Sequence, residues 1–233
     1  MPELPIHPAV GREAPGYSLE RRLTRLKDLK PTLRRRAHDR LREWAAVETL
    51  SLTGGARGDG SVVEGVLEAL AHIETAASSS REIDLGFIRE VHRLSSPPFG
   101  GEIRTTEAPS QFKNARVLSP RFIEAMLSNL LDWLHGESGR EMFPAERMAL
   151  WFPRFLEIAP FEWGNFRTAH LFLSFFSCAG GYPPVSLRFE EAEEVRSEIE
   201  RALLFDTGPL VSRFSAALAR SLEALERAAG EGA

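Results

Sequence analysis

Wound as a helix, the eleven residues Thr168-Ala169-His170-Leu171-Phe172-Leu173-Ser174-Phe175-Phe176-Ser177-Cys178 are apolar on nearly every face. Such a helix has no side to turn towards water, so it must run through the middle of a fold with other elements packed around it. The rest of the chain offers the partners. Apolar residues recur at helical spacing over 32–50 (Leu33, Ala37, Leu41, Trp44 and Ala45, with Glu48 on the same stripe), 62–73, 84–94, 120–134, 144–158, 190–204 and 210–228. In the last of these, Leu210, Phe214, Ala217, Leu218 and Leu222 follow at steps of one, three and four. Trp133, Trp151 and the Phe172–Phe176 stretch read as core. Strand signals are scarce. Residues 101–118 lack helical periodicity and are expected to hold a short hairpin, and 53–61, with four glycines, read as a loop. Residues 1–25, rich in Pro and Gly, are expected to form an extended arm. No repeat or linker divides the remainder, so the expectation is one all-α domain of about eight helices over residues 26–230.

Composition narrows the partners. A chain of 233 residues can bury one substantial core, and 43% hydrophobic with 27% charged residues is ordinary for a globular protein. A net charge of −4 argues against nucleic-acid binding driven by bulk electrostatics. The run Arg34-Arg35-Arg36, interleaved downstream with Asp39 and Glu43, reads as a solvated helix face. No stretch of about 18 apolar residues suggests a membrane span. The start, Met-Pro-Glu-Leu-Pro, lacks a basic-then-apolar leader, and the lone Cys178 excludes an internal disulfide, so a cytoplasmic location is expected. Arg57-Gly58-Asp59 reads as a chance tripeptide in a turn. The glycine loop lacks the Gly-Lys-Ser/Thr ending that grips phosphates, and no Cys/His cluster has metal-ligand spacing.

Chemistry concentrates just ahead of the buried helix, in residues 158–170. Gly164 and Asn165 are the residue types that most easily reach left-handed backbone angles. Arg167 follows within one turn. Consecutive backbone N–H groups, a helix N-terminus and a guanidinium are expected to converge there on an anion.

The segment Ala159-Pro160-Phe161-Glu162-Trp163-Gly164-Asn165-Phe166-Arg167-Thr168-Ala169-His170 resembles the signature of the Fic family, His-Pro-Phe-x-Asp/Glu-Gly-Asn-Gly-Arg-x-x-Arg, most of whose members transfer AMP from ATP to a protein hydroxyl. Pro160, Phe161, Gly164, Asn165 and Arg167 match. Ala159 stands where the family has its basic His, Trp163 where an acid holds Mg²⁺, Phe166 where there is a second Gly, and His170 where the last Arg reaches phosphate. The segment Phe87–Leu94 followed by Gly101-Glu102-Ile103-Arg104 resembles the family's helix and the entry to its target-docking flap, placing that flap at 101–118 with Gly101 and Arg104 in it. The resemblance covers roughly residues 30–205 and includes the closing Gly181-Tyr182-Pro183-Pro184.

The resemblance implies a Fic-like helical domain with a short β-hairpin flap. Gly164, Asn165, Arg167 and His170 would hold ATP or another nucleotide, and a protein target would dock at the flap. Catalysis is another matter. Alanine at 159 has no lone pair, whereas a general base is typically worth ~10²–10⁴-fold, and an indole at 163 cannot hold Mg²⁺, so Mg²⁺ is not expected. Glu162 is one residue out of register to replace it. Many family members also carry an inhibitory helix whose Glu pairs with the last signature Arg. Glu48 occupies a related place, with Trp44 and Thr49 departing from the rest of that motif, and its expected partner is His170. The leading expectation is a divergent member, impaired in AMP transfer, that binds a nucleotide or a protein. The alternatives are transfer of AMP or another phosphate-linked group by an unconventional route, and a ligand-free scaffold subunit in which Trp163 and Phe166 plug the turn.

Overall fold

The apolar segment lies within α8 (Asn165–Ala179), and every residue from Thr168 to Ser177 is buried. Its polar side chains are satisfied by the chain that passes alongside after it. The Ser174 hydroxyl donates to the Val185 carbonyl at 3.0 Å, and the Ser177 hydroxyl donates to the Pro183 carbonyl. The extended stretch 182–187 therefore supplies what a fully buried helix needs to keep serines on its surface.

The computed structural model describes residues 15–26, 31–53, 60–110, 112–113 and 117–230. Among them are ten α-helices: α1 (Pro15–Leu26), α2 (Pro31–Leu52), α3 (Gly60–Ser78), α4 (Leu85–Ser95), α5 (Ile123–His135), α6 (Glu137–Glu141), α7 (Pro144–Ile158), α8, α9 (Ala192–Leu203) and α10 (Gly208–Gly230). Around α8 pack α3, α7, α4 and α2, and α7 in turn carries α5, α9 and α10 on its other sides. Trp151, Phe155, Phe172 and Phe176 meet at the centre in tilted and edge-on pairs with centroids 4.9–5.8 Å apart. Arg35 and Arg36 are exposed, as a solvated helix face requires.

Three expectations change. Residues 15–25 are helical rather than part of an extended arm, because Leu19 and Leu23, one turn apart, bury themselves as α1 packs on α10. Five-residue α6 was not anticipated. Among the described residues, segment 101–118 has no strand. Two of its carbonyls, those of Thr106 and Leu118, are taken by one arginine, described next, rather than by a β-ladder. The glycine loop, apart from its ends, and the Arg57-Gly58-Asp59 tripeptide lie outside the described residues.

Candidate anion-binding site at the start of the buried helix

At its C-terminus α7 stops with Ala159 in the left-handed region (φ 44°), its N–H donating to the Phe155 carbonyl at 2.9 Å, and Pro160 prevents continuation. Residues 161–164 then reverse the chain. Asn165 closes the turn: its Oδ1 accepts from the Phe161 N–H at 2.9 Å and its Nδ2 donates to the Phe161 carbonyl at 2.6 Å. Gly164 caps α8 with φ 76°, and a Cβ there would lie 2.6 Å from Ser96 Oγ. Glycine is therefore required twice, for the backbone angle and for space.

His92, on α4, holds the turn from outside. Its ring stacks on Phe161 with centroids 3.7 Å apart, Nδ1 lies 2.5 Å from the Gly100 carbonyl, and Nε2 lies 2.9 Å from the Trp163 carbonyl. Burial pulls the imidazole below its ordinary pKa, against the pull of those two carbonyls, and the nearby Arg167 charge adds to the lowering.

A cavity of about 600 Å³ opens at the N-terminus of α8, bordered by Gly164, Asn165, Phe166 and Arg167 from the turn, Thr53 from the end of α2, and Ser96. Helix geometry leaves the N–H groups of Asn165, Phe166 and Arg167 without intrahelical acceptors, and no side chain caps them. The Arg167 guanidinium donates to Thr53 Oγ1 at 3.1 Å and to the Ser95 carbonyl at 2.7 Å, both neutral acceptors, so its charge is uncompensated. Burial lowers its pKa from the usual arginine value. The Ser96 hydroxyl, on a residue 2% exposed, has no hydrogen-bond partner. Glu193 and Arg196 of α9 stand on the far wall.

Phe166 does not plug this space. Its ring turns against Phe152, centroids 5.3 Å apart and nearly perpendicular, and borders the cavity instead. Trp163 is 61% exposed, with its indole 6.1 Å from the ring of Phe99, so position 163 contributes only its carbonyl to the turn. Glu162 is exposed.

Of the residues expected to meet a nucleotide, Gly164, Asn165 and Arg167 come together, Asn165 through its backbone because its side chain is used in closing the turn. His170 does not join them. It is buried in the core, where its Nε2 accepts from the Leu187 N–H at 3.1 Å and its Nδ1 lies 2.9 Å from Thr49 Oγ1. The Thr49 hydroxyl donates to Ala45 O, so His170 carries its proton on Nδ1 and is neutral. Burial pushes its pKa down to about 3.

The expected Glu48–His170 pair is absent. Neighbouring residues of a helix point about 100° apart, and it is Thr49 that faces α8. Glu48 Oε2 accepts instead from the Phe189 N–H at 3.0 Å on the surface.

Gly101 and Arg104 act as anchors. A Cβ on Gly101 would sit 2.5 Å from the Arg89 carbonyl. Arg104 is buried, and its guanidinium donates to the carbonyls of Ala159 at 2.7 Å, Thr106 at 2.7 Å, Ile158 at 3.3 Å, and Leu118. Its own N–H donates to Pro160 O at 2.9 Å. One cation thus ties both ends of segment 104–118 to the carbonyl end of α7, where positive charge is favoured. Sequence reasoning gave no role to His92 on α4, nor to Thr53 and Ser96, which directly follow α2 and α4.

Residues 82–177 match the sequence profile of the Fic/DOC family. The chain carries a Fic/DOC-family domain. Protein adenylyltransferase fic-1 of Caenorhabditis briggsae is 34% identical over 134 residues, which is 56% of this chain and 26% of that protein. Protein adenylyltransferase Fic of Nematostella vectensis is 28% identical over 187 residues, 77% of this chain and 43% of the relative. The chain therefore spans about a quarter to under a half of these relatives. In shape it is similar to a Fic-domain-containing signaling protein of Bacteroides thetaiotaomicron, with a TM-score of 0.79 at 24% identity over 93% of this chain and 97% of that one. All ten described helices are consistent with that all-α fold. No described helix is long and apolar enough to cross a membrane. Among the described residues no group of three or more His, Cys, Asp or Glu is placed to hold a metal ion.

Proposed function

We propose that this Fic-domain protein binds ATP or another nucleotide through the N-terminus of α8 and Arg167, and does not transfer AMP by the base-and-metal route of the family. The observation that carries the reading is the uncompensated Arg167 charge beside the open N–H groups of α8, with Ser96, whose buried hydroxyl is unpartnered, bordering the same 600 Å³ cavity. Three kinds of donor around one space suit the oxygens of a phosphate. The packing of Phe166 against Phe152 disfavours the plugged-scaffold alternative.

The same geometry argues against ordinary chemistry. Position 159 offers a methyl group, and its carbonyl is already bound by Arg104. The carboxylate that would hold Mg²⁺ is an exposed indole. If Mg²⁺ accompanied the nucleotide, the chain's donors for it would have to come from elsewhere, so we expect binding independent of the metal. A protein partner would meet the exposed Trp163 and Phe99 at the rim of the cavity. A cytoplasmic setting, where ATP is abundant, fits this reading.

The test is calorimetric titration with ATP, ADP, UTP and CDP-choline, with and without Mg²⁺. Binding of at least one, indifferent to Mg²⁺ and abolished by Arg167→Ala, is the expected result. No heat with any of them would overturn the proposal. Label transfer from ATP to a protein by the unmodified chain would favour the unconventional transferase.

A further inference from the structure

At the opposite end of α8, roughly 22 Å away for a helix of this length, a second cavity of about 340 Å³ lies where the last turns of α3 and α8 meet α5, α6 and the start of α7. Its charged lining is Arg81, Glu82, His135, Arg140 and Arg147. Glu82 is the single carboxylate among these, and it is divided. One oxygen lies 2.5 Å from Arg140 and the other 3.9 Å from His135 Nδ1. Arg81 stacks over Phe87 at 4.5 Å and approaches Asp84 at 3.8 Å.

Arg147 receives nothing. Its guanidinium lies 5.2 Å over the Phe176 ring, its Nε is buried without a partner, and no carboxylate or carbonyl among the described residues accepts a hydrogen bond from it. Burial and the charge of Arg140 both work against its protonated form. His135 Nε2 is likewise buried and unpartnered. The C-terminal ends of α3 and α8 offset part of the positive charge, yet neither supplies an acceptor to Arg147. Arg147 is half-buried, and a guanidinium whose Nε is sealed from water without a partner is costly unless an anion meets it.

We infer that this cavity is a second anion site that takes a phosphate group. The planar fork of Arg147 matches two oxygens of a tetrahedral anion. His135 and Arg140 line the same space from other helices, and a dianion with three or four oxygens suits such a set better than a single carboxylate does. The site shares no residue with the turn at Gly164 and does not depend on the nucleotide reading.

The experiment is titration of inorganic phosphate and of glycerol phosphate into the Arg167→Ala variant, which removes the first site. Phosphate binding that persists there, and weakens at least tenfold on adding Arg147→Met, is the expected result. Equal affinity for both probes would assign free phosphate as sufficient, and tighter glycerol phosphate would assign a phosphomonoester. Should Arg147→Met fail to fold, Arg140→Gln, at a side chain 62% exposed, gives the same readout. Loss of all phosphate binding with Arg167→Ala alone, or binding indifferent to both Arg147→Met and Arg140→Gln, would overturn the inference.

Discussion

The side-chain amide of Asn165 and the backbone of Phe161 form a two-way pair, one hydrogen bond in each direction at 2.9 and 2.6 Å. Both partners are buried, so water cannot replace either bond. Asn165→Ala is expected to cost about 2–4 kcal/mol, the penalty for leaving a buried donor and acceptor unmet. The check is the urea midpoint, which should fall with little change in slope.

Arg104 joins four carbonyls that otherwise have no common partner. Arg104→Met keeps the stem but removes the donors, and a loss of about 3 kcal/mol follows from hydrogen bonds to a charged group. The loss should be local as well as global. Hydrogen exchange at the Arg104 amide, bound to Pro160 O, should accelerate more than in the middle of α8.

The neutral His170 makes stability depend on pH. Its folded pKa of about 3 lies below its ordinary 6.5, so below 6.5 the unfolded chain takes up a proton that the folded one refuses. Stability is then full above about pH 6.5 and falls as pH drops towards 3, by up to about 1.4 kcal/mol per unit. His92, also lowered by burial, acts in the same direction. Between pH 6.5 and 5, urea melts of His170→Gln should show a shallower fall than those of the unmodified protein.

If chemistry was lost at 159 and 163 alone, restoring both residues should restore it. Histidine tolerates the left-handed backbone at 159 better than most side chains, and the exposed Trp163 can be replaced without disturbing its carbonyl. Ala159→His with Trp163→Asp is expected to give measurable AMP transfer from ATP in Mg²⁺, by self-labelling in gels, while neither single change does. Silence from the double variant would place the defect at Phe166 or His170.

Much of this was legible because helices announce themselves by period. The buried α8 and the limits of α7 followed from where apolar residues fall, and Gly164 with Asn165 marked the turn. What stayed hidden were relationships across the chain. His92 acts through carbonyls 8 and 71 residues away, a distance no spacing rule reaches. Glu48 and Thr49 differ by one step on a helix; the sequence reading paired Glu48 with His170, and it is Thr49 that faces it. Arg104 looked like part of a docking surface because its family resemblance came with that role, while its burial and its four carbonyls appear only in three dimensions. α1 was missed because prolines and glycines around it outweighed two leucines one turn apart.

The turn before α8 is fastened by Asn165, His92 and Arg104, and each grips main chain: the Phe161 amide, the Trp163 carbonyl, the Ala159 carbonyl. Backbone is common to every amino acid. The jig is thus independent of the tools mounted in it, and residues at 159 and 163 can be exchanged, by nature or by hand, while the socket for an anion keeps its shape.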